Sequence, residues 1–234
     1  MVMPSPPRRT GAAHHGRLAL MAVLAAVTLG LLGCGAGSPA HVVQGSGVAA
    51  TQTRAVAGFS RIDLTGSNKV SVVVGGRQSV VVHADSNLLD RVTTRVVAGT
   101  LLIGTTGSFT TRNPMSVEIS VPALAALTLS GSGQISASGI NSPGLTVSLS
   151  GSGALDASGA VARLDVALGG SGQAQLSQLA ARDVRAVLTG SGLIRVTATT
   201  SLDAAVPGTG AVIYGGTPPH LTTSITGTGA VLRG

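Results

Sequence analysis

Beyond residue 122, apolar side chains fall on alternate positions in short bursts, and the bursts return about every twenty residues. Each burst straddles a tripeptide: Gly131-Ser132-Gly133, Gly151-Ser152-Gly153, Gly170-Ser171-Gly172, Gly190-Ser191-Gly192, Gly208-Thr209-Gly210 and Gly227-Thr228-Gly229. The first glycines are 20, 19, 20, 18 and 19 residues apart. Two places before each stands Leu129, Leu149, Leu168, Leu188, Val206 or Ile225, and four places after it stands Ile135, Leu155, Ala174, Ile194, Val212 or Val231. The intervening positions are mostly Ser, Thr, Ala or charged. A period of two is the mark of a strand with one face inward, and the segments are too short and too glycine-punctuated for helices. The paired glycines predict corners, where φ > 0 and close backbone approach suit glycine. Strand, corner, strand at a fixed period describes one coil of a parallel β-helix, each coil covering its neighbour's apolar face.

Residues 58–122 lack this regularity. Arg61 to Val72 reads as an early, degenerate coil, with Asn68 replacing the second glycine as the next residue most tolerant of φ > 0. Val70–Val74 and Ser79–His83 flank Gly75-Gly76-Arg77-Gln78 and predict a hairpin, as do Val92–Val97 and Leu101–Ile103 around Ala98-Gly99-Thr100. Asp85-Ser86-Asn87 is placed to cap a short turn at Leu88-Leu89, residues 104–113 read as a polar loop, and Ser116–Val121 as a strand ended by Pro122. The expected architecture is all-β: a solenoid of six to seven coils (123–234), capped at one end by the hairpin-rich part (58–122). No polar cap follows the last Gly-Thr-Gly, so that edge is a candidate surface for homo-oligomerisation.

The first 57 residues obey other rules. Arg8, Arg9 and Arg17 precede an apolar run, Leu18 to Leu32, that is short for a membrane span and ends at Leu32-Gly33-Cys34. Residues 1–33 read as a lipoprotein signal peptide. Cys34, the only cysteine, is then the lipid attachment site, palmitate being one expected acyl group, and the lipid is the expected link to a membrane. Residues 34–57, rich in Gly, Ser, Ala, Thr and Gln, read as a flexible tether. A cysteine used for lipid leaves none for disulfides. The net charge of +7 includes the three leader arginines; beyond them twelve basic residues face eight acidic ones. With aromatics at 1% and no basic run, the footprint of nucleic-acid binding is missing. Hydrophobic content of 44% with only 10% charged residues argues against disorder beyond the tether.

The run Phe59…Ile62-Asp63-Leu64…Gly66, then Val117-Glu118-Ile119…Pro122…Leu124…Leu127…Leu129-Ser130-Gly131-Ser132-Gly133, resembles the "head GIN" domain of the putative auto-transporter adhesins, across residues 58–234. The resemblance implies a right-handed parallel β-helix, an exported bacterial envelope location, often with a lipid anchor, and an adhesin role. It supplies no catalytic motif.

Candidate chemistry is sparse. Stacked coils would align Ser132, Ser152, Ser171, Ser191, Thr209 and Thr228 along one edge, where hydroxyls either face a glycan or bond local backbone. Arg163 falls beside Asp183, and Asp165, Arg185 and Asp203 follow one another in a second column; these read as a structural ion ladder of ~0.2–1 kcal/mol per pair. As a hydrolase pair, Asp165 and Asp203 stand roughly 9.6 Å apart by strand spacing, with Arg185 between them working against the neutral carboxyl of a general acid. No Gly-Gly-x-Gly-x-Asp calcium repeat and no zinc spacing occurs, so neither metal nor cofactor is expected. His83 reads as the end of a hairpin strand and His220 as a loop residue. The sequence thus supports a non-catalytic surface-binding module with a glycan or envelope protein as partner. A β-helical polysaccharide-degrading enzyme and an envelope-stress regulator are the alternatives.

Overall fold

The computed structural model describes residues 42–234. The leader, Cys34 and residues 35–41 of the expected tether lie outside them. Of the described residues, 66% are strand and 2% helix. Its strands are β1 (Val43–Gln44), β2 (Ala49–Thr53), β3 (Arg61–Gly66), β4 (Lys69–Val74), β5 (Ser79–Asp85), β6 (Val92–Val97), β7 (Thr100–Thr105), β8 (Phe109–Thr110) and β9 (Ser116–Val121). They continue as β10 (Ala126–Gly131), β11 (Gln134–Leu149), β12 (Ala154–Leu168), β13 (Gln173–Leu188), β14 (Leu193–Val206), β15 (Ala211–Gly215), β16 (His220–Ile225) and β17 (Ala230–Arg233).

The strands stack into two long faces. The first runs β6-β7-β3-β10, then the second halves of β11 to β14, then β16. The other runs β2-β5-β9-β4, then the first halves of β11 to β14, then β15 and β17. A narrow third side joins them where Ile140–Ser142 pairs with Gly159–Val161 and Ala180-Ala181 with Thr197-Ala198. Each long strand therefore bends from one face to the other, and the bends carry register shifts at Ala137/Ile140, Asp156/Ser158 and Leu176/Ala180.

Inside, the alternating positions form columns along the solenoid axis. Leu64, Leu129, Leu149, Leu168, Leu188 and Val206 make one and Val70, Ile135, Leu155, Ala174, Ile194 and Val212 another, all buried. The solenoid has about five turns, fewer than the six to seven expected. Six Gly-x-Gly corners enclose five intervals. The seventh, at Gly66, is stacked under Gly131 but separated from it by the whole excursion 75–125.

The corners require glycine for both of the reasons the sequence offered, close approach more often than positive φ. Of the stacked first glycines, Gly66 and Gly131 have positive φ, at 115° and 146°. Elsewhere the constraint is proximity: a Cβ on Gly151 would fall within 3 Å of the carbonyl oxygen of Gly131, and one on Gly153 would be 2.8 Å from Leu129 Cδ2. The amides of Ser152 and Gly153 both donate to the Gly131 oxygen, at 3.0 and 3.1 Å, and the arrangement repeats one coil later with Ser171 and Gly172 on Gly151. Asn68 stacks beneath Gly133 without positive φ, contrary to expectation. It is buried, its carbonyl accepts the Gln134 amide at 3.1 Å, and its Nδ2 has no partner.

The irregular part departs most from expectation. β6 and β7 form the predicted hairpin, turning through Ala98 and Gly99, both at positive φ as a two-residue turn demands. β4 and β5 do not pair with each other: β9 lies between them, parallel to β4 and antiparallel to β5. The stretch expected to be tether carries β2, which covers the edge of β5, and β1, which pairs with β8 inside the expected polar loop. Asp85 does not cap the turn Leu89–Arg91, which has no side-chain cap. It is buried and accepts hydrogen bonds from the amides of Gly47 (3.0 Å) and Arg112 (2.8 Å) and from Asn113 Nδ2 (2.6 Å), joining three loops. The Arg112 amide is the main cause holding this carboxyl below the ordinary aspartate value of 3.8; burial opposes it, and Asn113 and Gly47 add to it.

Candidate functional site

Three surfaces carry polar side chains in ordered arrays. The first is the corner itself. Ser132, Ser152, Ser171, Ser191, Thr209 and Thr228 are all exposed, one per coil. Among the described residues, the hydroxyls of Ser132, Ser152 and Ser171 make no hydrogen bond, while Thr209 Oγ1 lies 2.9 Å from Ser191 Oγ. The corner is closed by backbone amides, so most of this hydroxyl row is left to solvent.

The second array lies on the outside of the β3-containing face. Register places Arg163 beside Asp183, and Asp165 beside Arg185, which adjoins Asp203. The expected neighbours are brought together, yet among the described residues no Arg–Asp pair closes to ion-pair distance; Asp183 instead accepts a 2.7 Å hydrogen bond from Ser201 Oγ. These charges line a shallow cavity of about 260 Å³. His220 opens β16 next to Ser201 rather than lying in a loop. His83 sits within β5, its Nε2 3.5 Å from Glu118 and its Nδ1 3.4 Å from Thr51 Oγ1.

The third array was not foreseen. On the outside of the opposite face, where the strands bend toward the narrow side, a groove of about 530 Å³ runs across β4, β11, β12 and β13. Ser71, Ser136, Asp156, Ser158 and Gln175 are its half-buried polar walls. It lies beside the bends at which β11 and β12 shift register against their neighbours. Alternation could have shown that Ser136, Asp156 and Gln175 share a column; nothing local marks the depth of the groove beside them. Among the described residues no group of three or more His, Cys, Asp or Glu could hold a metal ion, and no helix is long and apolar enough to cross a membrane.

Past this groove the solenoid ends at β16 and β17, where Leu221, Ile225 and Leu232 are 45, 46 and 51% exposed. Leu221 and Ile225 continue columns that are buried in earlier coils, at Leu202 and Val206, whereas Leu232 continues the outward column of Gln175, Arg195 and Ile213.

A putative adhesin from Bacteroides fragilis has the same fold, with a TM-score of 0.69 at 23% identity, over 82% of this chain and 99% of that one. A putative lipid binding protein from Parabacteroides distasonis matches at a TM-score of 0.54 and 23% identity, over the same shares. No curated protein matches the chain. The family described as "putative auto-transporter adhesin, head GIN domain" matches residues 58–218, the cap from β3 onward and the coils as far as β15, and the chain belongs to that family.

Proposed function

We propose that this protein is an adhesin of the bacterial cell envelope, held outside the cytoplasm by a lipid on Cys34, that binds a polymeric, hydroxyl-rich ligand along its Ser/Thr-lined surface. The observation that carries the reading is the supply of exposed side-chain hydroxyls, repeated once per coil, most of which the fold itself leaves unbonded. Hydroxyls both donate and accept, which suits a polysaccharide presenting the same groups at intervals. Weak contacts at each coil add up along a polymer by raising the effective concentration of the next contact. With no Trp and only one Tyr in the chain, stacking on aromatic faces contributes little, and affinity rests on hydrogen bonds and repetition. Family membership supports the adhesin role and a surface location.

The test is retention of the chain from Gly35 to Gly234 on intact bacterial cells and on immobilised polysaccharides, at low and high salt. Retention that survives high salt is expected, since neutral hydrogen bonds are not screened as ion pairs are. Absence of retention on every surface would sink the adhesin reading. In the same cells, Cys34→Ser should move the full-length protein out of the membrane fraction.

A further inference from the structure

We infer that the ligand's seat is the groove across β4, β11, β12 and β13, and that it takes a glycan strand free of acidic groups, with amino sugars bound best. The inference rests on the adhesin reading and gives it a site and a ligand class.

The groove is the largest concavity described above, at about 530 Å³. By contrast, the corner hydroxyls stand on a convex edge where a ligand meets them from one side only. In the groove, hydroxyls and amides from four neighbouring strands line one concavity. Ser136, Asp156 and Gln175 lie in consecutive register on β11, β12 and β13, so their side chains repeat at the strand spacing of about 4.8 Å. Ser158 stands two residues beyond Asp156 on the bend.

Its chemistry selects the ligand. Asp156 is the only ionisable residue lining the groove. Among the described residues it accepts a single hydrogen bond, from Gln134 Nε2 at 3.3 Å, which leaves acceptor capacity on the carboxylate. The carboxylate at the middle of the groove accepts from sugar hydroxyls or from an amino group and repels uronates and sulfates there; Arg195 stands one rung past Gln175 in the same column, outside the lining. Gln175 is spent only in part, on Gln173 Oε1 at 3.2 Å, and keeps an oxygen to accept and an N–H to donate. A half-buried carboxylate is screened less than an exposed one, so its charge discriminates more strongly here than on the flat faces.

The test uses the full chain on three immobilised probes: a polyglucosamine with free amino groups, a neutral glucan and a polyuronate. Retention in the order polyglucosamine, glucan, polyuronate is expected. Asp156→Asn, close to isosteric on a half-buried site, should weaken polyglucosamine binding about tenfold, the scale of one charge-assisted hydrogen bond. Ser158→Leu should lower retention on both non-acidic probes by narrowing the groove. The double substitution Ser152→Ala, Ser171→Ala on the corner, which removes two of the repeated contacts, should lower retention on the two non-acidic probes, and on polyglucosamine by less than Asp156→Asn does. Retention lost in the corner variant but kept in Asp156→Asn and Ser158→Leu overturns the groove and leaves the adhesin reading standing. Preferred binding of the polyuronate overturns the ligand class. If no probe and no cell surface retains the chain, both readings fall.

Discussion

The coils from β10 onward and the cap before them are built by opposite means. In the coils every residue leans on a neighbour about nineteen positions away, and the same few contacts recur: a leucine column, a glycine on a glycine carbonyl, a hydroxyl outward. In the cap no contact repeats. Asp85 reaches 38 residues back to Gly47 and 27 forward to Arg112, Arg54 donates to the Leu89 carbonyl 35 residues on, and β9 threads between two strands laid down before it. The coils are held by many equivalent interactions, the cap by a few singular ones. Damage to a coil should therefore spread to both neighbours, whereas damage to the cap should stay local until its edge strand releases.

Three substitutions sharpen that contrast. The larger effect belongs to Gly151→Ala, which puts a methyl group within 3 Å of the Gly131 carbonyl oxygen. It should cost ~1–3 kcal/mol, as overpacking does, in chemical denaturation, with lost amide protection in the coils on both sides. Ser171→Ala, exposed and on the same kind of corner, should stay within about 0.5 kcal/mol. A Gly151→Ala protein as stable as the parent would refute the packing account of the corner.

The smaller, local effect belongs to Asp85→Asn. The folded carboxyl titrates below the ordinary 3.8, so the folded state binds this proton less readily than the unfolded chain. Its stabilisation is whole above that ordinary value and is lost as pH falls through the lower, folded one. The parent's melting-temperature advantage over Asp85→Asn should be constant from about pH 5 to 8 and shrink below about pH 4. Hydrogen exchange at Gly47 and Arg112 should speed up in the variant while the leucine columns remain protected. A gap in melting temperature indifferent to acid would mean that Asp85 acts through shape alone.

Legibility in the sequence followed the same division. The columns, the corner tripeptides, the β6–β7 hairpin and the register of Arg163, Asp165, Asp183, Arg185 and Asp203 could be read directly, because a period compares the chain with itself. The closeness of those charges could not be read. Register fixes which side chains are neighbours, while rotamers decide whether they touch, and Asp183 turns to Ser201 instead. The supposed hairpin of β4 and β5 failed because β9, which separates them, begins 42 residues after Val74. Its claim on the edge of β4 leaves no local trace. Ala49–Thr53 looked like tether because its alternation is weak and its partner β5 supplies the order. The groove escaped notice because it lies beside bends whose register shifts fall at different places in successive strands.

The near-constant period also makes each coil a unit that evolution can count. An in-frame duplication of residues 151–169 would insert one more rung, lengthening the solenoid by about 4.8 Å and leaving its other neighbours in register. The cap would not register the change, since its singular contacts lie within residues 42–125. If the proposed polymer binding holds, reach along the polymer scales with copy number, much as a ruler gains a mark.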